Sequence, residues 1–327
     1  MPKTDLCDLM QTDYPLIQGG MAWVANACLA SAVSNAGGLG LVAAGSMNAD
    51  LLRREIRLTR EQTDRPFGVN IMLMNPDVDA LAAVVLEERV PVVTTGAGSP
   101  GKYIQAWKDA GIRVVPVVAS VAYAKRMEKL GADAVIAEGT EAGGHIGELT
   151  TMVLVPQVAD AVSIPVVAAG GIADGRGVAA ALILGASGVQ VGTRFLACDE
   201  CCIHENYKQL VIKARDIDTL VTGRSGGHPV RTLKNKLARH LIELEKQGAS
   251  FEEMETITVG SLRRAVQDGN LEEGSFMAGQ VAGLVNDCQP ASQIVAGLFR
   301  QAWSLLGERM PISVPGLRQA LSAGGDL

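Results

Sequence analysis

The sequence predicts an α/β protein, a (β/α)8 TIM barrel with an inserted, mainly helical cap after the eighth strand. Three observations carry this expectation. Eight short apolar runs recur over the first 200 residues, each closing on Gly, Asn or another small residue and each followed by a helix-like segment. The runs are continuously apolar rather than alternating, which is how strands buried on both faces of a parallel sheet read. Beyond the eighth run the texture changes, because residues 199–270 hold 22 charged residues in 72 and lose the strand-helix rhythm.

In chain order the predicted strands are Pro15–Gln18, Leu39–Ala43, Phe67–Met72, Val90–Thr94, Ile112–Val118, Ala134–Glu138, Ile164–Ala169 and Gly188–Val191. Between them, Ser120–Leu130 puts apolar residues on one helical face and Lys/Arg on the other, and Asp174 stands where an N-cap opens the helix Asp174–Leu184. An open doubly wound sheet is the alternative, but it rarely runs eight evenly spaced units without a long reversal connection. The barrel is therefore expected over residues 1–198 and 271–318, with the cap over 199–270. Apolar, Gly-rich sequence resumes at Gly274–Val285.

Composition excludes several classes. Hydrophobic residues are 48% and charged residues 20%, the balance of a globular chain with a large aliphatic core. A net charge of −6 argues against a nucleic-acid binder. The N-terminal segment lacks an apolar signal region, no run of about 18 apolar residues could span a membrane, and six Cys in so long a chain read as reduced thiols, so a cytoplasmic location is expected.

In a barrel of this kind chemistry collects at the C-terminal strand ends. Strand one ends in Gln18-Gly19-Gly20-Met21-Ala22 and strand three runs into Asn70. Strand six ends in Glu138 and leads to Ala142-Gly143-Gly144-His145. Strand seven ends in Ala169-Gly170-Gly171-Ile172, and strand eight in Gln190-Val191-Gly192-Thr193-Arg194. Gly-rich turns after strands seven and eight let backbone N–H groups approach an anion, the phosphate-binding arrangement of this fold. His145 over the barrel mouth can donate or accept a proton near neutral pH. Glu138 suits either hydrogen bonding to hydroxyls or a cap or salt-bridge role, and Asn70 suits a flavin ring edge or ribityl chain.

Three motifs read less sharply. Gly96-Ala97-Gly98-Ser99-Pro100-Gly101 matches the dinucleotide fingerprint, but no acidic residue ends the next strand, so it reads as the loop after strand four, near the mouth. Cys198, Cys201, Cys202 and His204 lack a second knuckle, and no metal is expected. Arg224, Arg231, Lys234, Lys236 and Arg239 form a stretch free of acidic residues, either a solvated cap helix or a basic face for an acidic partner.

The segments QGGMAWVA, FGVNIML, VVTTGAG, AEGTEAGGHIGELTTM, PVVAAGGIADG, GVQVGTRF, ARDIDT and MAGQVAGLV together resemble the FMN-dependent enoyl-acyl-carrier-protein reductases of bacteria, the type II enoyl reductases, from about Tyr14 to Val285. These lie within the wider family of nitronate monooxygenases (2-nitropropane dioxygenases). AGGH and VGTRF are shared across that wider family, whereas ARDIDT and MAGQVAGLV are closer to the reductase branch.

The resemblance implies FMN across the barrel mouth. Gly170, Gly171, Gly192 and Thr193 would hold its phosphate. Gly20, Met21, Ala22, Asn70 and Glu138 would touch the ring and ribityl chain, with Gly143, Gln190 and Val191 beside them and Met277 and Gln280 approaching from the closing segment. His145 would be the active-site His. NADH or NADPH would supply hydride to a trans-2-enoyl thioester on acyl carrier protein. The reductase branch also responds to monovalent cations, and a homodimer is expected. None of Tyr14, Tyr103, Tyr123 and Tyr207 has Lys four or seven residues later, so the tyrosine route of the Rossmann-type enoyl reductases is absent. The alternative is a nitronate monooxygenase using FMN and O2 with His145 as base. A flavin-free relative of inosine-phosphate dehydrogenase would need a Cys between Glu138 and Leu149, and none is there.

Overall fold

The computed structural model describes residues 4–309. Eight parallel strands form a barrel: β1 (Leu16–Gln18), β2 (Gly40–Ala43), β3 (Phe67–Met72), β4 (Val92–Gly96), β5 (Arg113–Val118), β6 (Val135–Glu138), β7 (Val166–Ala169) and β8 (Gly188–Val191). β1 pairs with β8 in parallel, and the bridge between Ile17 and Leu39 closes the cylinder onto β2. All eight predicted runs are the observed strands, within a few residues at their ends.

Ile17, Leu41, Val92, Val115, Ile136 and Val167 cluster as the barrel's inner core, joined by Leu6 and Met10 of the N-terminal helix Asp5–Met10. The outward residues pack against the helices instead, for example Val189 and Val191 with the final helix Ala291–Arg309 in the largest core cluster. Local signals start the helices as read: Asp174 accepts hydrogen bonds from the N–H groups of Arg176 and Gly177, and Ser120 from that of Tyr123.

The β1–β2 seam is short, and a side chain completes it. Gln18 is fully buried. Its Oε1 accepts from the Leu41 N–H at 3.0 Å and its Nε2 donates to the Gly19 carbonyl. The amide thus stands in for ladder bonds that the diverging strands cannot make. Gln18→Ala leaves the buried Leu41 N–H and the Gly19 carbonyl without these partners, and should lower stability by about 2–3 kcal/mol, read from the denaturation midpoint. A loss below about 0.5 kcal/mol would show that the seam does not need it.

The cap is not purely helical. Helices Glu205–Ile212, Lys236–Lys246 and Phe251–Thr258 are joined by a ribbon of Thr219–Thr222 against Val230–Leu233. That ribbon continues onto Gly144–His145, in the loop after β6, with Val230 opposite His145 and Arg231 opposite Gly144. The returning segment is pinned in two places: buried Arg194 donates to the carbonyl and carboxylate of Asp287 and to Gln289, and the Tyr207 hydroxyl donates to the Met277 carbonyl. Residues 310–318, expected to close the barrel, lie outside the described residues. Among the described residues no helix is long and apolar enough to cross a membrane.

Candidate active site

A cavity of about 480 Å³ opens at the C-terminal ends of the strands. It takes in the loops after β1, β3, β4, β6, β7 and β8, and Met277 and Val281 of the returning segment cover it. A larger groove, about 780 Å³, lies on the cap among Lys236, Arg239, His240 and Glu272. It has neither glycine turns nor barrel strand ends, so the barrel mouth is the candidate chemical site.

Most of the expected residues meet here. Gly20, Met21, Ala22, Asn70, Glu138, Gly143, His145, Gly170, Gly171, Gln190, Gly192, Thr193 and Met277 all line the cavity. Two do not. Val191 is buried in the layer between barrel and helices, because it alternates with Gln190 along β8 and the two must face opposite sides. Gln280 opens a short 3-10 turn with its side chain in solvent, and Val281 takes the inward position.

The turns after β7 and β8 leave open backbone donors that could hold an anion. Gly170 has φ +91°, and a Cβ there would stand 2.8 Å from the Gly139 carbonyl oxygen. The N–H groups of Gly171, Gly192 and Thr193 have no acceptor among the described residues. Thr193 Oγ1 accepts from the Gly279 N–H at 2.9 Å, which ties the returning segment to the mouth and leaves its own O–H free to donate. The helix Thr151–Ala159 is not available to an anion, because its N-terminus is already taken by a carboxylate. Glu141 accepts from the Thr151 N–H at 3.0 and 2.9 Å and from its hydroxyl at 2.9 Å. Thr151 Oγ1 also lies 3.0 Å from the Gly170 carbonyl, so this pair buttresses the glycine turn.

Asn70 and the loops after β1 and β4 line another part of the cavity. Asn70 donates to Thr94 Oγ1 at 2.9 Å, which leaves its carbonyl oxygen uncommitted. Its side chain fills the space above Gly20, where a Cβ would approach Asn70 Cγ to 2.3 Å. Gly96, Ala97 and Gly98, the false dinucleotide fingerprint, form one wall, and Ala97 carries the strained φ of +55° that functional loops tend to hold.

His145 sits at the solvent-open rim. Its pKa is lowered, first by the surrounding protein, which displaces water from the imidazolium, and second by the neighbouring His228. The cap fixes it in place. The Ile146 N–H donates to the Pro229 carbonyl, and buried Arg231 donates from Nε and Nη2 to the Thr140 carbonyl at 3.2 and 3.1 Å. Arg231 is therefore an internal brace rather than part of a docking face. Arg224 pairs with Glu148 and Lys236 with Glu272, and Lys234 donates to the Ile217 carbonyl. Within the acid-free stretch Arg224 and Lys236 thus have acidic partners, and Arg231 and Lys234 reach backbone carbonyls. In the Cys198 to His204 stretch, His204 Nδ1 accepts from the Asn206 N–H as a helix cap, and among the described residues no three or more His, Cys, Asp or Glu are grouped to hold a metal ion.

Sequence reasoning missed Glu141, Tyr207 and Val281. The first acts on a helix ten residues ahead, and the others reach the cavity only through the cap and its return.

The sequence profile described as nitronate monooxygenase matches residues 3–84 and 79–301. The chain belongs to the nitronate monooxygenase family. FabK from Thermotoga maritima is 51% identical, with a TM-score of 0.91 over 94% of this chain and 98% of that one. The nitroalkane oxidase of Streptomyces ansochromogenes is 31% identical, with a TM-score of 0.82 over 93% and 99%. A Mycobacterium tuberculosis relative, (3aS,4S,5R,7aS)-5-hydroxy-7a-methyl-1-oxo-octahydro-1H-indene-4-carboxyl-CoA dehydrogenase, is 34% identical over 92% of this chain and 96% of its own. The chain is an oxidoreductase of this family and groups with FabK within it.

Proposed function

We propose that the protein is an FMN-dependent enoyl-acyl-carrier-protein reductase that takes hydride from NADH or NADPH. The observation that carries this reading is the pairing of two unpaired-donor glycine turns with a rim histidine in one cavity of about 480 Å³, within the range of cofactor pockets. The likeness to FabK, the type II enoyl reductase, at 51% identity favours the reductase branch.

The residues present fit the cofactor. The free N–H groups of Gly171, Gly192 and Thr193 suit a phosphate dianion, and the open carbonyl of Asn70 suits a ribityl hydroxyl or a ring N–H. When bound, FMN supplies hydride transfer between a nicotinamide nucleotide and the C2=C3 bond of a trans-2-enoyl thioester. Saturating that bond also requires a proton at the α-carbon. His145, directly or through a water it orients, provides it at the rim. Met277 and Val281 would lie over the bound ring, and Arg231, paired with Gly144 and bonded to the Thr140 carbonyl, braces the loop that carries His145.

The carrier protein would deliver the thioester from the cap side. A second reading, nitronate oxidation with O2, is favoured by the family profile and by the nitroalkane oxidase likeness. Anaerobic assay separates the two. The reductase consumes NAD(P)H with crotonyl thioester in the absence of oxygen, and an oxygen-dependent enzyme inactive on the thioester would overturn the proposal.

A further inference from the structure

Glu138 ends β6 inside the barrel mouth and lines the cavity, yet no side-chain or backbone group among the described residues hydrogen-bonds to its carboxyl. Its strand neighbours are apolar: Ala169 stands opposite on β7, and Val117 and Ala119 line the cavity on the β5 side. The other titratable groups of the cavity are committed or placed elsewhere. Glu141 is taken by Thr151, the Tyr123 hydroxyl donates to the Gly98 carbonyl, the Tyr207 hydroxyl donates to Met277, and His145 stands at the rim. The nearby buried cations are also spent, Arg194 on Asp287 and Arg231 on Thr140.

An ionised Glu138, half-buried against mostly apolar walls, would therefore have neither a donor nor a countercharge among the described residues, an unfavourable state for a carboxylate. A neutral carboxyl has a different need, a single acceptor for its O–H. We propose that Glu138 is held protonated at neutral pH and donates a hydrogen bond to an oxygen or nitrogen acceptor of the isoalloxazine group, so that cofactor binding is linked to this one proton. The inference rests on the FMN reading above. Burial alone pushes the carboxyl up to about 7 in the empty cavity, and a bound aromatic ring would exclude more water and push it further. Every other described carboxyl with a displaced titration (Asp79, Glu88, Glu128, Asp174 and Asp218) is displaced downward.

The sign follows. Below about pH 7 both free and loaded protein carry the proton, and affinity is flat on this account. Above it the free site ionises and must recapture a proton to bind, so affinity falls by up to about tenfold per pH unit until the loaded form also titrates. The test dilutes the purified, flavin-loaded protein at pH 6.5 to 9 and reads the dissociation constant from the fluorescence of released FMN. Wild type should weaken by about tenfold or more between pH 7 and 9. Glu138→Gln, an amide donor at every pH, should be flat and within about threefold of wild type at pH 6.5. A flat wild-type profile, or the same slope in Glu138→Gln, overturns the proposal.

Infrared spectroscopy of the wild type provides a second readout that needs no variant. A protonated-carboxyl stretch should be present at pH 6.5, and its absence there also overturns the proposal. A protein that carries and binds no flavin would instead sink the FMN reading, which the infrared band does not depend on.

Discussion

Replacing His145 with Ala should lower turnover of crotonyl thioester by about 10²- to 10⁴-fold, the span a positioned general acid contributes. NAD(P)H consumption with ferricyanide, which needs no proton on carbon, should stay within about twofold of wild type, showing that the cofactor site is intact. The pH profile sharpens the result. Loss of hydrating water to the surrounding protein, and then His228, lower the His145 pKa, so the protonated form becomes scarce above a pH lying below the usual histidine value of about 6.5. The enoyl-dependent rate should fall as pH rises through that point, and this limb should vanish in His145→Ala. A variant that keeps full enoyl turnover would remove His145 as the proton source.

The second large effect concerns the anion turn. In Gly192→Val the new side chain meets little protein, since the nearest atom to a Cβ is Met21 Sδ at 3.7 Å and the residue's φ of −109° suits any side chain. Stability should change by less than about 1 kcal/mol. The side chain nevertheless enters the cavity beside the unpaired Gly192 and Thr193 N–H groups, and FMN affinity should fall by about 100-fold or more, equivalent to about 3 kcal/mol. Equilibrium dialysis against FMN, with the unfolding midpoint as control, reads both. Gly170→Val is the contrasting case: its φ of +91° and the 2.8 Å approach to the Gly139 carbonyl strain the turn itself, so fold and binding fall together. Undiminished FMN binding in Gly192→Val would mean that the phosphate does not rest on this turn.

The barrel was legible because each strand is buried on both faces, and VPVVTT or IPVVAA cannot be satisfied any other way. Glycines at the strand ends marked the site for a related reason, since Gly170 and Gly171 adopt conformations that side chains avoid. The cap ribbon was not legible. Thr219–Thr222 is mostly half-exposed, and its sheet is completed by only two residues, Gly144 and His145, which pair with Arg231 and Val230 some 85 positions later in the chain. Those two read as a ligand loop, and they are also a strand, so the cap ribbon and His145 are one unit. The role of Glu141 was hidden for a similar reason, because a carboxylate capping a helix ten residues onward leaves no local pattern. Val191 could have been set aside from sequence: with Gln190 facing the cavity, the period of two turns its neighbour into the helical layer.

The most direct test is the identity and amount of cofactor carried by the purified protein. The account predicts a yellow protein that releases FMN, rather than riboflavin or FAD, on denaturation, at close to one equivalent per chain. A colourless protein that takes up no FMN on incubation would contradict it.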